Sequence, residues 1–206
     1  MNKLHELLEI MKEHQKLDRL VQGDWLSDET VDGVYRGCFF GCAMQTRHNA
    51  IGKACAKYDL PLWIGYWSEA VFEGLSQEAA IKWPVQLLEA LIGFKGDTEK
   101  LRHNLSIKRL SNLLPTANEE VNSAIELVIN YHKNPDEQKR IAAEYAAMSA
   151  ALAARSAARS AARYADAAAL AARSAAWSAD AAALAAESAA WSRERDWMLE
   201  LLREKS

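Results

Sequence analysis

Three glycines and two cysteines crowd one short stretch of the chain. Gly33, Gly37 and Gly41 recur every four residues, with Cys38 and Cys42 running beside them. On a helix each set would form a stripe. Glycine costs about 1 kcal/mol relative to alanine in a helix interior, so three at this spacing imply something packed against bare backbone. The plainer candidate is another helix of the same chain; the sharper one is a ligand or a partner's loop. Arg36, Arg47 and His48 bracket the stretch and could hold a phosphate or carboxylate, although surface solvation or pairing with nearby acids serves them as well. A second segment gathers Trp63, Tyr66, Trp67 and Phe72 with Glu69 and Glu73. Trp63 and Trp67 lie four apart, as do Glu69 and Glu73, so each pair shares a helical face. Such a segment forms either a core-facing aromatic stripe with a solvated acidic edge or the wall of a pocket for a flat ligand. The expected ligand-binding set is Arg36, Gly37, Gly41, His48, Trp63, Tyr66, Trp67, Glu69 and Glu73.

Catalysis has two candidate sets. Cys38 with His48 could supply a nucleophile and its base, and Glu69 with Glu73 could supply an acid–base pair. Nothing in the sequence orients the first set, and carboxylates four apart are common on helix surfaces. Cys38, Cys42, Cys55 and His48 are zinc-competent types, but the tight Cys-x-x-Cys loop of structural zinc sites is missing. Cys38 and Cys42 flank Phe39 and Phe40, which suits small buried hydrophobes. The expectation is therefore no catalytic residue, no metal and no cofactor. No phosphate-binding loop, dinucleotide fingerprint, zinc-protease helix or nucleophile elbow occurs.

The elements that would position these residues are helical. Leu4, Leu7, Leu8 and Met11 predict a helix over 3–21. Ser27, followed by Asp28 and Glu29, resembles an N-cap with acids in the first turn and predicts a helix over 28–45. Further helices are predicted over 50–58, from Pro61 to Gly74, from Ser76 to Gly93 with Pro84 as a kink, over 98–114, and over 119–132. No convincing alternating strand is present. The expected class is all-α.

All 9 glycines and all 4 prolines lie at or before Pro135, and beyond it the composition changes. Between Ile141 and Ser192, 28 of 52 residues are alanine. Leu170, Trp177, Leu184, Trp191 and Met198 fall every seven residues, and Arg159, Asp166, Arg173, Asp180, Glu187 and Glu194 form a charged column beside them. A strict seven-residue period keeps such columns on one side when helices supercoil. The chain thus divides into a multi-helix domain over 1–134 and a long Ala-rich heptad helix over 135–206. That helix is expected to pair between chains, making a homo-oligomer through its Leu/Trp/Met column; folding back within the chain is the alternative.

The 206 residues carry 25 Lys+Arg and 28 Asp+Glu, a net charge of −3. This charge gives no field to attract nucleic acid. No apolar run suits a membrane span, and the charged start MNKLHELLEIMKEHQ lacks a secretory leader's core. Three cysteines do not build a disulfide scaffold, so a cytoplasmic setting is expected.

Tyr35–Cys42, Leu60-Pro-Leu-Trp, Glu69–Leu75 and Lys82–Ala90, together with the terminal repeat, resemble a group of uncharacterised bacteriophage and bacterial proteins that end in Ala/Ser/Trp/Arg repeats. The resemblance covers Val34–Ala90 and the repeat. It implies a phage or prophage setting and an accessory or counter-defence role, and it brings no catalytic residues. The expected function is a non-catalytic binding protein that sequesters a small, nucleotide-like ligand or blocks a host defence protein. A scaffolding oligomer with the Ala-rich helix as spacer is the alternative, and an enzyme using the cysteine or glutamate set ranks last.

Overall fold

Leu7, Leu8 and Met11 recur at helical spacing and form the buried stripe of α1 (Lys3–Lys16). The computed structural model describes residues 3–116, 119–146, 148 and 173–203, the last segment with side chains from 186 onward. The first helix stops short of Val21. Asp18 turns left-handed, with φ 51°, and Leu20 then runs extended beside Gly37 in a parallel bridge.

The helix expected over 28–45 does not form. Thr30–Val31 (β1) and Val34–Tyr35 (β2) pair as an antiparallel hairpin instead. Asp32 and Gly33 have φ of 54° and 74°, the mirror-image turn for which Asp-Gly is a favoured pair. The flanking Thr, Val and Tyr suit a strand better than a helix. Ser27 closes a local turn rather than capping a helix, its Oγ accepting the Glu29 N–H at 3.0 Å.

Only α2 (Phe39–Met44) survives of the 28–45 segment; the helices after it, α3 (Ala50–Tyr58), α4 (Leu62–Gly74) and α5 (Gln77–Gly93), match the sequence reading closely. Pro61 caps α4, and Pro84 sits inside α5 without ending it. α1 packs chiefly on α5, and α3 lies between α2 and α4. Gly65 permits the close α3–α4 approach: a Cβ there would meet Cys55 Sγ at 2.5 Å. Trp83 of α5 is fully buried. Its Nε1 donates to the Ser68 carbonyl at 3.0 Å, and Trp67 meets its ring edge-on at 5.6 Å.

By its contacts the chain divides into two units, Met1–Thr98 with Ala185–Ser206, and Glu99–Leu184. The second contains α6 (Thr98–Ser111), α7 (Glu119–Lys133) and α8 (137–146). His103 and His132 join α6 to α7, their Nδ1 atoms 2.8 Å apart; one ring must donate and the other accept.

The last helix, α9 (Arg173–Arg203), ends in the first unit. There Met198, Leu199, Leu201 and Leu202 are buried. Trp191 lies directly against Gly74, where any Cβ would overlap the indole. Glu194 accepts the Trp67 Nε1–H at 3.2 Å. The end of the alanine-rich segment thus packs onto α4 of its own chain. Of the expected heptad column, Leu170 lies outside the described residues, and Trp177 and Leu184 are described in backbone only. Among the described residues the chain is predominantly helical with one two-stranded hairpin, and no helix is long and apolar enough to cross a membrane.

Candidate functional site

The glycines expected to bare a helix face are spread over three kinds of backbone. Gly33 makes the hairpin turn, Gly37 lies in the extended strand-like segment, and Gly41 lies in α2. Gly37 and Gly41 nevertheless share a neighbour. A Cβ on Gly37 would meet the Trp25 carbonyl oxygen at 2.5 Å, and one on Gly41 would overlap that same carbonyl. The bare backbone is therefore filled by the chain's own Gly23–Leu26 segment. Cys38 N–H ties the segment down, donating to the Asp24 carbonyl at 2.9 Å.

This arrangement carries Cys38 to the acidic turn of α4. Phe40 N–H, in the first turn of α2, donates to Glu69 Oε2 at 3.2 Å. Gly23 N–H donates to Glu73 Oε2 at 2.8 Å. One sulfur or oxygen atom from each of Cys38, Glu69 and Glu73 lies within 4.8 Å of the others. Cys38 and Glu69 are buried and Glu73 is exposed, so the cluster runs from the interior to solvent. Gln22 holds the far end of α4: its side-chain amide donates toward the carbonyls of Phe72, Glu73 and Leu75 at 2.6, 3.1 and 2.9 Å. These are the carbonyls a helix C-terminus leaves without intrahelical partners.

The electrostatics follow from burial. Glu69 is only 6% exposed, and loss of water pushes its carboxyl up to about 7, against the steadying effect of the Cys38 thiol and the Phe40 N–H. Glu73 is raised for the same main reason, with Asp24 adding to it and Gly23 N–H opposing. Burial and the neighbouring Glu69 push the Cys38 thiol far up. Burial also pushes Cys42 up to about 12. Such thiols are poor nucleophiles. Glu69 titrates where a general acid would, but a substrate has little access to so buried a carboxyl.

The other expected residues stand apart from this cluster. Arg36 leaves the hairpin and pairs with Glu29 at 3.1 Å and Asp18 at 3.5 Å. Arg47 pairs with Asp28 and donates to the Leu26 carbonyl at 2.7 Å. His48 is exposed in the turn before α3. On α4, Tyr66 and Leu62 are 55% and 54% exposed, one turn apart. Trp63 and Trp67 are half-buried beside them, and the buried Trp63 Nε1 has no hydrogen-bond partner.

The sequence reading missed Cys38 as a neighbour of Glu69 and Glu73, and it missed Gly23 and Phe40 as donors. One signal was present: Asp32-Gly33 between β-prone residues marks a hairpin, which would have kept Cys38 out of a long helix. No protein-family model, curated protein or solved structure matches the chain.

Proposed function

We propose that this chain is a non-catalytic binding protein that acts by occupying a protein partner, in the phage-type accessory or counter-defence setting implied by its sequence resemblance. The observation that carries the protein arm is the outer face of α4, where Leu62 and Tyr66 stand side by side and more than half exposed. Tyrosine with an apolar neighbour is the composition of an interface core, and a helix presents it as a rigid anchor. The small-ligand arm has weaker support. The glycine backbone that would receive a flat ligand lies against Trp25. Arg36, the cation that would hold a phosphate, is engaged by Glu29 and Asp18. Suppressed thiols favour binding over cysteine catalysis.

Self-association through the Ala-rich helix belongs to the same proposal. Its seam would draw on Leu170, Trp177 and Leu184, since Trp191 and Met198 are engaged within their own chain.

The test is retention of a partner from phage-infected cells by the wild type and by Tyr66→Asp. Truncating a tyrosine that acts as an interface hot spot costs ~2 kcal/mol or more, roughly 30-fold in affinity. The proposal expects a defined protein partner that Tyr66→Asp loses while its circular dichroism stays unchanged. Equal retention by both proteins would overturn it.

A further inference from the structure

We propose that Cys38, Glu69 and Glu73 form a binding site for a single zinc ion. The donors come from two places brought together by the fold, the start of α2 and the acidic turn of α4, and all lie within 4.8 Å of one another. A tetrahedral zinc with sulfur and oxygen ligands keeps its donors roughly 3.4–3.6 Å apart. Binding therefore requires small side-chain rotations of all three donors to close the remaining distance.

A second observation points to a cation. Glu69 is 6% exposed, and its Oε1 makes no hydrogen bond. An unpartnered buried carboxylate oxygen is costly. Its other oxygen is held by Phe40 N–H, just as Glu73 Oε2 is held by Gly23 N–H. Each carboxylate therefore has one oxygen anchored by backbone. Backbone donors of this kind orient metal ligands from behind.

The donor set selects the metal. Thiolate with carboxylates suits zinc, whereas magnesium and calcium prefer oxygen alone. Binding forms one metal–sulfur and two metal–oxygen bonds. The Cys38 S–H proton, and the Glu69 proton where present, pass to solvent through the exposed Glu73 side. Three protein ligands leave a fourth position for water.

The experiment titrates the full chain, freed of metal by chelation, with Co2+ and separately with Zn2+. Cobalt reports sulfur ligation by a thiolate-to-metal charge-transfer band. We expect one equivalent to bind, the band to vanish in Cys38→Ser, and Glu69→Gln and Glu73→Gln each to weaken Zn2+ affinity by at least about 10- to 100-fold, the loss that removing even an outer-shell partner of a metal ligand causes. Glu73→Gln sits at the surface and keeps an acceptor for Gly23 N–H, so it stays informative should Cys38→Ser fail to fold. Absence of the charge-transfer band in the wild type would overturn the assignment. So would Zn2+ affinity unchanged in both Gln variants, which would place the metal elsewhere, for instance at His103 and His132.

Discussion

Replacing Met198 by alanine tests whether the end of α9 belongs to the core of its own chain. Met198 has 0% exposure, and its neighbours Leu199, Leu201 and Leu202 are buried with it. Removing a buried methionine side chain costs about 2–5 kcal/mol, from lost transfer energy and the cavity left behind. With Trp191 seated on Gly74 and Glu194 bonded to Trp67 on the same helix, collapse around the gap is restricted, and about 3 kcal/mol is the expected loss. For a chain of 206 residues that lowers Tm by roughly 10 °C. The exposed Glu187 on the same helix provides the control; Glu187→Ala should shift stability by less than about 0.5 kcal/mol. The assay is urea unfolding followed by tryptophan fluorescence, with sedimentation velocity run alongside. Stability unchanged by Met198→Ala, together with a changed subunit number, would refute the reasoning. The heptad column would then be a seam between chains along its whole length.

Three further outcomes are expected. Gly41→Ala should destabilise by about 2–3 kcal/mol, because its Cβ would overlap the Trp25 carbonyl and a packed segment would have to move. Gly33→Asn should cost under about 1 kcal/mol, since Gly33 has open space around it and Asn tolerates positive φ; equal losses in chemical denaturation would contradict this contrast. His14 is buried, and burial first and Arg19 second hold its pKa below the ordinary 6.5. The unfolded chain therefore takes up a proton before the folded one does. His14 leaves stability intact above about pH 6.5 and erodes it as pH falls from there toward the folded pKa. The fall in Tm between about pH 7.5 and about pH 5 should be smaller in His14→Leu than in the wild type; an unchanged fall would remove His14 from the account.

The helical part of the fold was readable because each element carries its own punctuation. Pro61 and Gly74 bound α4, Ser76 and Gly93 flank and close α5, and the apolar stripe of α1 has helical spacing. The 28–45 segment misled because two local signals overlapped. The four-residue glycine spacing argued for a helix, whereas Asp32-Gly33 between Thr, Val and Tyr argued for a hairpin. The hairpin prevails because both turn residues must adopt positive φ, which a helix interior forbids. The reading of Gly37 and Gly41 as backbone bared for close packing survives in altered form: the neighbour is Trp25, a residue that no periodicity points to.

The site was legible by residue and not by grouping. Glu69 and Glu73 were found from their spacing, and Cys38 from its motif. Their convergence depends on a contact between residues 29 positions apart, the Phe40–Glu69 hydrogen bond, and on Gly23, which lies 50 positions from Glu73. Glycine and backbone donors leave no chemical mark in a sequence. The buried state of Glu69 was equally hidden, because a glutamate on an amphipathic helix reads as solvated until its partners are placed.

Native mass spectrometry of the chain recovered from phage-infected bacteria, wild type beside Tyr66→Asp, tests the central claim most directly. The account predicts a complex of the wild type with one protein of defined mass, and the same chain without that protein when Tyr66 is replaced. A wild-type chain carrying an organic small molecule and no protein partner would contradict it.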